Sequence, residues 1–353
     1  MGPDHPAVKD VAIVGAGPIG LELAAALKRA GEDYLHFEAR QIGQTIFRWP
    51  SNTQFFSSPE RIAIAGFPFQ NVDQQKATGE AYLAYLRAIV EQLALPIHTY
   101  ETVLAVEPRS DGFALRTETQ AGERSYRCRR VVLATGGMAG PRKLGVPGED
   151  LPHVDHYFKD PHRYFRQRLL VVGGKNSALE AALRCWRCGA DVTISYRRPG
   201  LDGQSVKPHL LSEISLLVRE GRMGFLPATV PIEITPRHVV LAPAQDGKPT
   251  PGEPILHPAD FVLLATGFVA DMRLFENAGV TLQGEQDAPV FSPETMETNV
   301  PGLYVAGTAA AGTQQRFRLF IENCHEHVAK IMAALTGRPY EPAATLKDRQ
   351  YEV

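Results

Sequence analysis

The sequence predicts an α/β fold built from two Rossmann-like dinucleotide-binding domains, each a three-layer ββα arrangement, with the second inserted into a discontinuous first. Three observations predict it. A strand, glycine turn, helix and second strand open the chain at Gly15; the same order returns at Gly173; and apolar strands ending in Ala-Thr-Gly or Val-Ala-Gly recur after each. Composition fits a globular protein: 353 residues, 44% hydrophobic and 22% charged, with a formal charge of −2. That charge leaves no basic footprint for nucleic acid. No apolar run reaches the length of a membrane span, and the start lacks a signal-peptide core. Four cysteines in such a length make no disulfide scaffold, so a cytoplasmic setting is expected.

The first unit begins with Val11-Ala-Ile-Val14, a short β-branched run suited to a buried parallel strand. Gly15-Ala-Gly17-Pro18-Ile19-Gly20 follows, then a helix over 21–30 stopped by Gly31, then the strand Tyr34-Leu-His-Phe37 ending in Glu38 and Ala39. In G-x-G-x-x-G the first glycine makes the turn, the second admits a pyrophosphate, and the third lets helix pack on strand. The helix N-terminus offers amide donors to phosphate. Glu38 is spaced to accept ribose hydroxyls, which suits FAD or NAD rather than a 2′-phosphorylated nucleotide.

The second unit runs from the strand Arg168-Leu-Leu-Val-Val172 through Gly173-Gly174-Lys175-Asn176-Ser177-Ala178, a helix over 179–188, and the strand Asp191–Tyr196. Lys175 stands where the second fingerprint glycine would be. The strand ends in Arg197-Arg198 in place of an acid, and guanidinium groups suit the 2′-phosphate of NADPH; two solvated arginines are the plain alternative. Val131-Val-Leu-Ala-Thr135-Gly136 and Phe261-Val-Leu-Leu-Ala-Thr266-Gly267 each pass close to a dinucleotide or mark a domain crossing. Thr135 and Gly136 are assigned to FAD, Thr266 and Gly267 to NADPH. A last strand enters Gly307-Thr308, also assigned to FAD.

A helix over 80–94 and a three-strand meander over 97–130 complete the first module, and 242–254 reads as an exposed loop. A final helix spans 321–335. The FAD domain is therefore expected at 1–140 and 284–353, and the NADPH domain at 141–283.

The order of motifs resembles the low-molecular-weight thioredoxin reductase fold, and within it the YpdA-type bacillithiol-disulfide reductase family. The resemblance is carried by Gly15 to Gly20, Phe55-Phe56-Ser-Ser58, Val146-Pro-Gly-Glu-Asp-Leu-Pro152, His156-Tyr-Phe158, Gly173 to Ala178, and Phe320-Ile-Glu-Asn323 with His327. It implies FAD, NADPH and reduction of a small disulfide. Three departures stand out. The thioredoxin reductase Cys-x-x-Cys is replaced by His153-Val-Asp-His156. The usual final Gly-Asp is Gly307-Thr308. Many YpdA-type proteins carry a cysteine within the first glycine motif, where this chain has Ile19.

Four cysteines lie elsewhere in the chain. Cys185 and Cys188 form a Cys-x-x-Cys at the C-terminal end of a helix, where the dipole disfavours a thiolate; packing is the expected role, as for Cys128 in its strand. No second ligand pair completes a metal site. Cys324 lies in the first turns of the last helix, where the dipole favours a thiolate; a core thiol is the other reading. His327 matches a family histidine and suits either proton donation to a departing thiolate or a structural bond. Arg316 and Arg318 either bind substrate carboxylates or are solvated. Phe55 and Phe56 either cover the flavin or fill the core. The segment 148–159, with His153 and Tyr157-Phe-Lys159, also resembles the linker of flavin monooxygenases. A monooxygenase or NADPH oxidase, or a redox-inactive nucleotide sensor, are thus the competing functions. A homo-oligomer is compatible with the sequence.

Overall fold

The computed structural model describes residues 8–314 and 318–340. The described residues divide into two compact units, one holding 8–48, 52–140, 268–314 and 318–340, the other holding 49–51 and 141–267.

The first unit is organised by one sheet. Its strands run in the spatial order His98–Thr99, Tyr34–Glu38, Lys9–Val14, Gly122–Leu133, Gly112–Thr119 and Thr102–Arg109, with Leu303–Val305 pairing parallel to the end of Gly122–Leu133. The register sets Val14 beside Phe37 and Leu133, and Leu133 beside Val305. Four parallel strands therefore stop level with one another, and the residues that follow them emerge on one edge. The meander appears with turns where glycine allows them. Its third strand is not separate from the run at 131–135 as the sequence suggested. Gly122–Leu133 is continuous, because Cys128 pairs with Phe113 in the meander and with Lys9 in the parallel sheet. The helix Pro18–Ala30 buries Leu21, Leu23 and Leu27 and ends at Gly31, whose φ of 75° only glycine adopts cheaply. Thr78 caps the helix Gly79–Gln92 through its side chain. The last helix, His325–Thr336, packs against Pro18–Ala30 and is preceded by a separate 3₁₀ turn, Ile321–Asn323. One helix over 321–335 was expected; Asn323 Oδ1 accepts the Phe320 amide and its Nδ2 donates to the Arg318 carbonyl, which closes a turn instead.

The second unit has a fully parallel sheet in the order Gly224–Pro227, Asp191–Tyr196, Arg168–Val172, Phe261–Leu264, Val154–Asp155. Alternate residues serve opposite faces, as strand geometry requires. Leu169, Val171 and Ile194 pack under the helices Asn176–Arg187 and Pro208–Arg219. Leu170, Val172 and Val262 pack on an antiparallel layer of Thr229–Ile234, His238–Gln245 and Ile255–Pro258, through Ile234, Val239 and Leu241. That is the expected ββα layering. The predicted loop over 242–254 is shorter: Ala242 to Gln245 stay in strand and the chain turns at Asp246 and Gly247, both at positive φ.

The expected return to the first unit at 284 is corrected to 268. The helix Arg273–Asn277 packs on the strand Thr102–Arg109 with Phe275 fully buried, so 268–283 belong with the first unit.

Candidate functional site

Three turns meet at the shared edge of the first sheet. Gly15, at φ 108°, lies so near the next strand end that an added Cβ would sit 2.5 Å from the Ala134 carbonyl oxygen. Gly20 seats the helix on the turn, with an added Cβ only 2.0 Å from the Gly15 carbonyl oxygen. Gly17 differs. It is the helix N-cap, and a Cβ there would meet nothing within 4 Å. Two of the three glycines are thus required by the fold, and the third keeps open space at an amide-bearing helix start.

The turn is braced from beneath by a residue the sequence reading passed over. Burial pushes the His36 imidazole down to about 4, so it is neutral, and its Nε2–H donates to the Gly15 carbonyl at 3.0 Å. The signal was a lone polar residue in the buried strand Tyr34–Glu38. At that strand's end, the Glu38 carboxylate accepts from the Ala16 and Arg40 amides, both at 2.9 Å, one on each oxygen. The remaining lone pairs are available to ribose hydroxyls. Ala39 follows on the exposed side.

The second turn is Thr135-Gly136-Gly137. The Thr135 Oγ1 is buried with no hydrogen-bond partner, and Gly136 has φ 77°. The third is Ala306-Gly307-Thr308. The Thr308 hydroxyl oxygen accepts the Gly137 amide at 3.0 Å and so ties the third turn to the second. This is what threonine does in place of the expected aspartate. Gly307, at φ 69°, donates its amide to His327 Nδ1 at 3.1 Å, and Ile19 lies against Gly307. An open Gly17, an orphaned Thr135 hydroxyl and a ribose-spaced Glu38 fit an FAD.

The two side chains named for thiol chemistry, Cys324 and His327, are both buried. Cys324 is fully buried and its thiol is pushed up to about 12 by burial, which disfavours a thiolate. His327 is buried and burial lowers it to about 4; its Nδ1 is occupied as an acceptor. At neutral pH it is an uncharged imidazole that positions the Gly307 turn, with no imidazolium proton to give. Its near neighbour His325 was not anticipated. The His325 Nδ1 meets Glu22 Oε2 at 2.7 Å and Nε2 meets the Arg61 carbonyl at 2.9 Å. Burial alone would lower this histidine, but the Glu22 bond and charge and the Arg61 carbonyl outweigh it and raise it.

Phe55 is core, edge-on to Tyr82, whereas Phe56 is exposed beneath Lys76. Arg318 is exposed and its amide donates to Gln314 Oε1; Arg316 lies outside the described residues. Burial pushes Cys128 and Cys185 up to about 12, in keeping with packing roles, and Cys188 is exposed. Among the described residues no cluster of acids, cysteines and histidines could hold a metal, and no helix is long and apolar enough to cross a membrane.

In the second unit, Gly173 has φ 146°, and an added Cβ would sit 2.5 Å from the Ala265 carbonyl oxygen. Gly174 packs face-on to Tyr196, whose ring would be 2.5 Å from an added Cβ. Lys175 is the exposed N-cap, leaving the first amides of Asn176, Ser177 and Ala178 to point out of the helix. The Asn176 side chain is engaged by Lys207 N at 2.8 Å and Ser205 O at 3.4 Å, which ties the turn to the next loop. Arg197 and Arg198 are exposed at the end of their strand, and Arg197 lies along Gly247. The turn backbone and the two guanidinium groups fit a phosphorylated nucleotide. The Thr266 hydroxyl donates to the Arg142 carbonyl at 2.6 Å, and the Gly267 carbonyl accepts the Arg142 amide, so the Thr266 donor is engaged where the chain crosses at 267.

The family model for pyridine nucleotide-disulphide oxidoreductases matches residues 12–307, spanning both glycine turns and ending at Gly307. The chain belongs to this family. As a pyridine nucleotide-disulphide oxidoreductase it is a flavoprotein enzyme whose cofactors are FAD and NADPH. It is 36% identical over 92% of its length to the bacilliredoxin reductase Bdr of Bacillus subtilis (strain 168), of which 97% is covered. It superposes with a TM-score of 0.86 and 33% identity on the bacillithiol disulfide reductase Bdr (YpdA) from Bacillus cereus, over 93% of this chain and 99% of that one. The likeness to a flavin-containing monooxygenase from Stenotrophomonas maltophilia, at 19% identity and a TM-score of 0.69 over 94% and 98%, is one of fold alone.

Proposed function

We propose that this oxidoreductase reduces a low-molecular-weight disulfide of the bacillithiol type at the expense of NADPH, with FAD between them. The observation that carries this reading is the likeness to Bdr, which runs through both nucleotide units and nearly the whole length of each chain. The net reaction is disulfide, NADPH and one proton giving two thiols and NADP⁺. FAD, when bound, supplies the two-electron exchange between the nicotinamide and the disulfide.

The chain's own residues bind and orient. The amides of Ile19 and Gly20 at the helix start receive the FAD pyrophosphate beside Gly17, and Glu38 accepts its ribose hydroxyls. Gly15, Pro18 and Ala39 shape the backbone around them. Thr135 offers its unpartnered hydroxyl, while Gly136, Gly307 and Thr308 form the wall held by His327. Asn176, Ser177 and Ala178 amides take the NADPH pyrophosphate next to Gly173 and Gly174, with Lys175 at the rim. Arg197 and Arg198 take the 2′-phosphate. Gly267 lets the crossing pass close by. No cysteine is placed to relay electrons. Cys128, Cys185 and Cys324 are buried high-pKa thiols, and Cys188 stands at the far end of its helix from the turn. The disulfide therefore meets the flavin without a protein thiol between them.

The test is anaerobic stopped-flow absorbance of the yellow holoenzyme. NADPH should bleach the flavin band, and bacillithiol disulfide should then restore it with two thiols released per NADPH. Recovery that needs oxygen and ignores the disulfide would make the protein an oxidase or monooxygenase. A band that NADPH leaves untouched would make it a nucleotide sensor.

A further inference from the structure

We propose that His156 is the residue that grips the nicotinamide end of NADPH. The inference rests on the proposed NADPH site of the second unit and extends it to a side chain that neither the glycine turn nor the arginine pair accounts for.

The argument begins with strand order. Arg168–Val172 lies in the middle of the parallel sheet, with Asp191–Tyr196 on one side and Phe261–Leu264, then Val154–Asp155, on the other. The direction of winding reverses between Arg168–Val172 and Phe261–Leu264. A dinucleotide lies across the carboxyl ends of such strands at that switch point, with its two halves on opposite sides. Arg197 and Arg198 end the Asp191–Tyr196 strand and so place the 2′-phosphorylated adenosine on that side. The nicotinamide half must then lie over the ends of Phe261–Leu264 and Val154–Asp155.

His156 is the first residue beyond that edge strand. The register pairs Val262 with Val154 and Leu263 with Asp155, which sets His156 level with Leu264. One step further is Ala265, whose carbonyl closes against Gly173. Both ring nitrogens of His156 are buried, and neither has a hydrogen-bond partner. A buried nitrogen left unpaired is costly, so two on one ring point to a missing partner.

The neighbouring polar groups are already committed. His153 Nε2 bonds the Thr235 carbonyl at 3.1 Å. Asp155 Oδ2 accepts from Arg163 Nε at 2.9 Å and from the Tyr164 hydroxyl at 3.0 Å. The Thr266 hydroxyl donates to the Arg142 carbonyl. His156 is what remains. Imidazole nitrogens can donate and accept, and the nicotinamide carboxamide with its adjoining ribose hydroxyls presents both complements.

The experiment is calorimetric titration of the holoenzyme with NADP⁺ and, separately, with adenosine 2′,5′-bisphosphate, which lacks the nicotinamide ribose. His156→Leu should weaken NADP⁺ by about tenfold or more and leave the bisphosphate unchanged. His156→Gln, which keeps one donor and one acceptor, should recover most of the NADP⁺ affinity and guards against a folding defect in the leucine variant. Unchanged NADP⁺ binding in His156→Leu, or an equal loss for both ligands with the glutamine variant no better, overturns the assignment. If the unaltered enzyme binds neither ligand, the NADPH site itself is wrong and this inference is overturned with it. That outcome is distinguishable, because it appears before any substitution is made.

Discussion

His325 and His327 lie two residues apart on one helix, and their imidazoles are shifted in opposite directions. His325 donates from both ring nitrogens, to Glu22 and to the Arg61 carbonyl, and is raised above the usual 6.5; His327 accepts from the Gly307 amide and is lowered to about 4. Helical periodicity separates them: residues two apart cannot share a face. One faces the buried carboxylate of the nucleotide-binding helix, the other faces the turn at the end of the central sheet.

A stability maximum near neutral pH follows. The raised His325 contributes stability that is fully present below 6.5 and lost as pH rises through its folded value. His327 and His36, both lowered to about 4, contribute stability present above 6.5 and lost as pH falls from there toward 4. Each of these two is worth up to roughly 3 kcal/mol. Thermal denaturation across pH 4.5–9 should give a Tm that falls on both sides. Glu22→Gln should flatten the alkaline side alone. An unaltered alkaline slope in that variant would remove His325 from the account.

The glycines of the first turn should separate folding from cofactor binding. Gly17→Ala meets no protein atom, so the apoprotein should keep its Tm within about 1 kcal/mol of stability while losing FAD. Gly20→Ala drives a methyl into the Gly15 carbonyl and should not yield folded protein. Yellow, fully loaded Gly17→Ala protein would show that the flavin lies elsewhere.

Arg197 and Arg198 should set nucleotide preference. Replacing both with alanine removes two charge-assisted contacts to the 2′-phosphate, each worth roughly 1.5–3 kcal/mol. NADPH should weaken by at least tenfold and NADH by little, read from the concentration dependence of flavin bleaching. Equal losses would mean the pair is a solvated strand end.

Cys324→Ala tests whether the chain uses a thiol. The buried, high-pKa sulfur should be dispensable: turnover of the disulfide should stay within about threefold, with a stability loss of about 1 kcal/mol for the lost packing. Abolished turnover in a folded, FAD-loaded variant would refute the thiol-free route.

Both glycine turns, their flanking strands and helices, the meander and the inserted second unit were legible in the chain itself. Each rests on local rules: glycine where φ is positive, period-two burial in strands, a charged or acidic residue at a strand end. The helix boundaries near 321–325 and the return at 268 were not, since a side-chain cap at Asn323 and the packing of Phe275 decide them.

Amino-acid order alone determined that two dinucleotide-binding domains exist and where their glycine turns fall, because those turns are specified within a few residues. Only the tertiary structure decided the roles of the polar side chains around them. Thr308 is a tie to Gly137, His327 an acceptor for the Gly307 amide, Cys324 a buried thiol and Thr266 a donor to the Arg142 carbonyl. A titratable or hydrogen-bonding group takes its chemistry from burial and from partners as much as 303 positions away in the chain, as His325 does from Glu22. Such partners exist only once the sheet has set its strand ends level.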